Sequence, residues 1–163
     1  MISRRALLAG AGAVALIAGW RGMQGSGEAA PAAAPFEIEK PDAEWRKLLT
    51  PAQYDVLRQH GTERPFSSPL DHEKRKGTFA CAGCDLPVYS SDTKFDSGTG
   101  WPSFYQPLDG AVDTTQDRSF FMVRTEVHCS KCGGHLGHVF DDGPRPTGQR
   151  YCMNGAAMDF KPD

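Results

Sequence analysis

Several things are scarce in this sequence of 163 residues, and each scarcity excludes a class of protein. No apolar stretch is long enough for a spanning helix: the leading run, Ala6 to Ala18, has 13 residues, where about 20 are needed. Basic runs are missing after residue 35. The first 35 residues hold three arginines against one glutamate, so the remainder sets 15 basic against 19 acidic side chains, and the whole chain has net charge −2. A main role on nucleic acid is excluded on that balance. Internal repeats are absent, which removes solenoids and propellers. Helical periodicity is confined to one stretch. Cysteine is also sparse, with five in all.

Turn formers are plentiful, with 18 Gly and 12 Pro. That favours a loop-rich β protein over a helical bundle, and the length suits one domain with a sizeable core. The stretch "KPDAEWRKLLTPAQYDVLRQHGTERP" carries the helical pattern. Trp45, Leu48 and Leu49 define the buried face of one short helix, and Tyr54 and Leu57 that of a second. Thr50 reads as an N-cap with Pro51 as the first helical residue, and Gly61 as the stop. Beyond Gly77 come short β-branched and aromatic runs separated by Gly, Pro, Asp and Ser. In "FFMVRTEVHC" Phe121, Val123, Thr125 and Val127 alternate with Met122, Arg124, Glu126 and His128, as in a half-buried strand. Six or more strands predict a mainly β fold, a small antiparallel sandwich or rolled sheet with short N-terminal helices.

Residues 1–35 read as an address and the start of a linker, and 36–163 as the domain. "SRRALL" places Arg4 and Arg5 before a weakly apolar run, which resembles a twin-arginine export signal. The expected location is periplasmic, or membrane-tethered if the segment is not cut.

Cys81 and Cys84 form one Cys-x-x-Cys knuckle, and Cys129 and Cys132 another, with 44 residues between Cys84 and Cys129. Four thiolates are the tetrahedral set of a closed structural Zn²⁺ site. Gly83 inside the first knuckle, and Gly133 and Gly134 after the second, let the backbone fold back. Two short-loop disulfides are the rival in an exported protein, although a bond inside Cys-x-x-Cys is ordinarily redox-active rather than structural.

Cys152 is left over, in "RYCMN". On a strand, Arg150, Cys152 and Asn154 share one face. A guanidinium beside the thiol favours the thiolate, the nucleophilic form. In "CGGHLGHVFDDG" a break at Gly137 would turn His135 and His138 into one pocket. Structural roles for these histidines stand equally open. Trp101, at the tip of "DSGTGWPSFY", is either a packing plug or the wall of a small apolar pocket. Taken alone, these parts describe a thiol enzyme without naming its reaction. A zinc-stabilised binding module is the alternative, and it has no need of a free thiol at Cys152.

"GTGWPSF", "HLGHVFDDGP", "RYCMN" and the two knuckles, in this order from about Pro41 to Phe160, closely resemble the methionine sulfoxide reductase B family. The resemblance implies two antiparallel β-sheets, one structural zinc per chain, and reduction of methionine-R-sulfoxide, free or in oxidised proteins. Cys152 matches the nucleophile and Trp101 the residue packing the substrate methyl. His135, His138 and Asn154 match the polar pocket, with His138 as proton donor, and Arg150 matches a basic neighbour of the thiol. Many members carry a resolving cysteine where this chain has Thr99. With no spare cysteine for that job, either an external thiol, thioredoxin or another, reduces Cys152 directly, which is the favoured route, or a knuckle cysteine leaves the metal to serve. A monomer is expected.

Overall fold

A computed structural model describes residues 36–119 and 122–163. The leader and most of the linker, and Phe121 of the alternating stretch, lie outside the described residues. Two helices, α1 (Asp42–Leu48) and α2 (Pro51–Gln59), precede nine strands. The strands are β1 (Gly77–Cys81), β2 (Pro87–Ser90), β3 (Lys94–Phe95), β4 (Ser103–Phe104), β5 (Val112–Asp117), β6 (Arg124–Cys129), β7 (His135–Phe140), β8 (Arg150–Met153) and β9 (Met158–Pro162).

Local chemistry accounts for the helix pair. Asp42 and Glu44 in the first turn of α1, and Arg46 and Lys47 in its last, complement the backbone dipole. Thr50 accepts from the Gln53 backbone while the Gln53 side chain accepts from the Thr50 backbone, a complete capping box with Pro51 next in line. Trp45, Leu49, Tyr54, Val56 and Leu57 are buried, but Leu48 is 59% exposed, because the chain leaves the helix there and swings Leu49 inward instead. The stop also differs from expectation. His60, not Gly61, takes the left-handed conformation (φ 56°), and the Gly61 N–H closes the helix on the Asp55 carbonyl at 2.9 Å.

The strands form two antiparallel sheets, β2-β1-β9 and β3-β4-β8-β7-β6-β5. The core lies between them. Phe79 and Tyr89 come from the smaller sheet; Phe104, Val127, Leu136 and Met153 come from the larger, and all are fully buried. Tyr89 stacks on Phe104 (centroids 4.3 Å apart) and its hydroxyl donates to Met153 Sδ at 3.1 Å, so the buried phenol is satisfied. Phe79 meets Phe104 edge-on at 4.9 Å.

The alternating stretch forms a strand only from Arg124. Val123 before it is 69% exposed. Val127 faces the core, and the opposite face turns Arg124 and Glu126 toward the site described below. His128, on the side of the alternation opposite Val127, is nonetheless only 9% exposed and meets Phe36 edge-on at 5.7 Å. It is covered by the segment that precedes α1, whose Ile38 N–H is held by the Lys131 carbonyl at 3.0 Å.

Candidate active site and thiol cluster

The two knuckles meet although their strands belong to different sheets. Cys81 closes β1 and Cys129 closes β6. The sulfurs of Cys81, Cys84, Cys129 and Cys132 all lie within 4.8 Å of one another, with Cys81–Cys132 at 3.7 Å and Cys84–Cys129 at 3.5 Å. Tetrahedral zinc with bonds of about 2.3 Å sets neighbouring sulfurs about 3.8 Å apart, whereas a disulfide needs about 2.05 Å. All five cysteines are free thiols. The donor set and spacing therefore fit one four-coordinate metal. In the second knuckle Gly133 is left-handed (φ 66°), and a Cβ there would lie 2.3 Å from the Phe36 ring. In the first knuckle that conformation falls to Asp85 (φ 64°) rather than Gly83.

The fifth thiol lies apart, on β8. Cys152 pairs with Ser103 on one side and with His138 of β7 on the other. With Trp101, His138, Asn154, Thr62, Arg124, Gly137 and Phe140 it lines a cavity of about 140 Å³. The turn before Trp101 is held by Gly100, which is left-handed (φ 87°) and bonded through its carbonyl to the Phe66 N–H at 2.7 Å. A Cβ at Gly100 would strike Phe66. Gly137 works similarly. Its missing Cβ would lie 2.1 Å from the Cys152 carbonyl, so glycine lets β7 approach β8 at the thiol.

His135 and His138 end up on one face because β7 bulges. Val127 pairs with Gly137, but the next residue, His128, pairs with His135, leaving Leu136 as the extra residue pointing into the core. The two imidazoles meet edge-on at 5.3 Å. Only His138 reaches the Cys152 cavity, whereas both line an adjoining one of about 460 Å³. His135 is buried behind His138, its Nδ1 bonded to Glu126 Oε1 at 2.7 Å. Asp117 Oδ2 bonds His138 Nε2 at 2.9 Å and accepts from Arg124 Nη2 at 2.6 Å.

Asn154 is 3% exposed and both ends of its amide are bonded to backbone. It accepts from the Glu63 N–H at 3.0 Å and donates to the Leu136 carbonyl at 3.1 Å, so it holds the pocket wall rather than a histidine. Arg150 forks onto Asp142 at 2.8 and 2.9 Å and covers the Phe140 ring. It acts on Cys152 as a nearby charge.

Electrostatics alters the expected state of the thiol. Burial pushes Cys152 above its ordinary value, and the opposing pull of the Arg150 charge and the Thr99 hydroxyl does not cancel it. Burial likewise lowers His138, against the hydrogen bond that its ring donates to Asp117. At neutral pH the resting pair is thiol and neutral imidazole.

Glu63 is the positioning residue that motif reading overlooked. Its carbonyl accepts the Trp101 indole N–H at 3.1 Å, and its N–H holds Asn154. Its carboxylate accepts from the N–H groups of Gly155 and Ala156 at 2.5 and 2.9 Å. One residue in the loop after α2 thus fixes both the aromatic wall and the turn after β8. Glu126 and Asp117 were missed as well, although the alternation in "RTEVHC" already set Glu126 and Arg124 on one face.

Two sheets stapled by a four-thiol cluster, with a separate cysteine opening on an aromatic and imidazole pocket, define a class of knuckle-bearing β proteins with a thiol site. A family model described as SelR domain matches residues 49–162. The chain is 58% identical over 127 residues to the peptide methionine sulfoxide reductase MsrB of Leptospira interrogans, covering 77% of this chain and 97% of that one. It is 57% identical to the protein of that name from Agrobacterium fabrum, with 77% and 94% covered. The one from Methanosarcina barkeri is 58% identical over 125 residues, with 76% and 88% covered. The chain belongs to the SelR domain family.

Proposed function

We propose that this protein reduces the R epimer of methionine sulfoxide, free or in oxidised proteins, to methionine. One observation carries the reading: Cys152 and His138 stand side by side across β7 and β8, in a cavity whose aromatic wall is Trp101. The names of the relatives support the same reaction.

The sulfoxide sulfur is electron-poor and its oxygen basic. Trp101 packs the methyl, which leaves one hand of the sulfoxide with its oxygen toward His138. Neutral His138 takes the Cys152 proton as the sulfur attacks and returns it to the oxygen. The S–O bond breaks with its oxygen passing to Cys152; methionine gains two electrons and Cys152 becomes a sulfenic acid. His135, held by Glu126, backs His138, and Asp117 orients it. Two equivalents of an external thiol, thioredoxin or a smaller one, then give the Cys152 thiol, a disulfide and water. Thr99 leaves no resolving thiol beside Cys152.

The four knuckle cysteines hold one zinc ion, which staples the sheets and takes no part in the reaction. Residues 1–35 export the folded domain by a twin-arginine route, and the domain acts as a monomer. Among the described residues no helix is long and apolar enough to cross a membrane.

The test supplies the R and S epimers of a chromophoric methionine sulfoxide separately, with excess dithiothreitol, and follows methionine by chromatography. Turnover of R alone is expected. Equal turnover of both epimers removes the role of Trp101, and no turnover of either removes the reaction.

A further inference from the structure

A second cluster of metal-binding groups lies outside the thiol knot, behind the catalytic pocket. His60 Nδ1 lies 2.9 Å from Glu126 Oε1, and His135 Nδ1 lies 2.7 Å from the same oxygen. The three donor atoms lie within 4.8 Å of one another. They come from the end of α2, from β6 and from β7, so the tertiary fold alone assembles them. We propose that His60, Glu126 and His135 form a second, reversible site for a borderline divalent transition ion such as Zn²⁺, and that occupancy inhibits the enzyme.

Three features fit the chemistry. Two imidazoles and one carboxylate are a known three-ligand zinc set that leaves a fourth position open. Glu126 is ionised: although burial pushes its carboxyl up, the hydrogen bond that it accepts from His135 and its electrostatic interaction with the two imidazole rings hold it at about 2. Its other oxygen accepts from Thr115 Oγ1 at 3.0 Å, the outer partner that fixes a ligating carboxylate. Access is open, because the cavity of about 460 Å³ beside it is lined by all three residues.

Little rearrangement is required. Bonds of about 2.05 Å in a tetrahedron separate neighbouring donors by about 3.3 Å, so the His60 and His135 nitrogens, now 2.9 and 2.7 Å from Glu126 Oε1, each end a few tenths of an ångström farther from it. His60 can supply that movement, since its side chain is 63% exposed and sits on the helix cap, while His135 is buried and fixed. The ion would take the place of the two N–H···O bonds, with both rings carrying their proton on Nε2 instead.

The inhibition rests on the reductase reading; the site itself does not. His135 touches His138 edge-on at 5.3 Å. A dication on His135 disfavours a proton on His138 and so blocks its relay between thiol and sulfoxide.

Zinc-loaded protein is equilibrated with added ZnCl₂ and bound metal is counted by mass spectrometry of the separated protein. Two ions per chain are expected for the wild type, and one for His60→Ala and for Glu126→Gln, with the knuckle zinc retained. Co²⁺ in the second site should show d–d bands without a further thiolate charge-transfer band. His60→Ala should keep wild-type turnover without added metal and need at least tenfold more Zn²⁺ for half-inhibition. One ion in the wild type, or a second ion that His60→Ala still binds equally, overturns the site. Unchanged zinc sensitivity in His60→Ala overturns the inhibition. If the wild type binds the second ion but never reduces the sulfoxide, the reaction falls and the site stands.

Discussion

His138 and Cys152 occupy one rung of the β7–β8 ladder, and Gly137 next to His138 has no side chain to hold the strands apart. The proposed nucleophile and its proton carrier are therefore placed by backbone pairing, not by loop conformation. A pair set on rigid strands loses little when a distant loop changes, and much when the ladder does. Gly137→Ala forces a methyl against the Cys152 carbonyl and should cut kcat/KM by at least about tenfold, with circular dichroism showing that the sheets remain.

Replacing the nucleophile with serine leaves the fold untouched and removes the chemistry. Cys152→Ser should lose at least about a thousandfold in turnover while its zinc content and melting temperature stay at wild-type values.

The state of the thiol is read by alkylation. Burial raises Cys152 above its ordinary value of 9.0, so the thiolate fraction is small at neutral pH and grows as pH rises past that value. Iodoacetamide should modify Cys152 slowly at neutral pH, with a rate still climbing at pH 9.0. A rate already level near neutrality would mean that the Arg150 charge outweighs burial.

Glu63 ties Trp101, Asn154 and the Gly155 turn together. Glu63→Gln sets an amide N–H₂ against a backbone N–H and should cost about 1–3 kcal/mol, with KM rising more than kcat falls. Burial raises the Glu63 carboxyl, so it favours the fold most below the unfolded value and loses that contribution as pH climbs through the folded one. The melting deficit of Glu63→Gln should therefore be larger at about pH 4 than at about pH 7. Parallel melts of the two proteins at both pH values read it.

The thiol knot joins β1 of one sheet to β6 of the other. Cys84→Ser should release the zinc and lower the melting temperature by at least about 10 °C. Metal analysis and calorimetry on the same sample check both.

Much of the site was legible as residue types. The two knuckles announced four thiolates, and the remaining cysteine then stood out by subtraction. Strand alternation correctly grouped Arg124 with Glu126. The same alternation misjudged Val123, because the strand begins only at Arg124, and His128, because it is covered by Phe36 from a segment far away along the chain that no local pattern contains. Leu48 and Leu49 look equivalent in a helical period; only the helix ending between them decides which is buried.

Glu63, Asp117 and Glu126 carry no motif, since a carboxylate becomes a positioning group only through what faces it. The sequence by itself determined the two thiol knuckles, the spare cysteine and the mainly β class, because those follow from side-chain type and spacing and from periods of two and 3.6. The tertiary structure alone decided that burial outweighs the arginine at Cys152, that a bulge turns His135 and His138 to one side, and that His60 reaches Glu126. Each of these depends on distances between residues far apart along the chain, and such distances exist only once the sheets have packed.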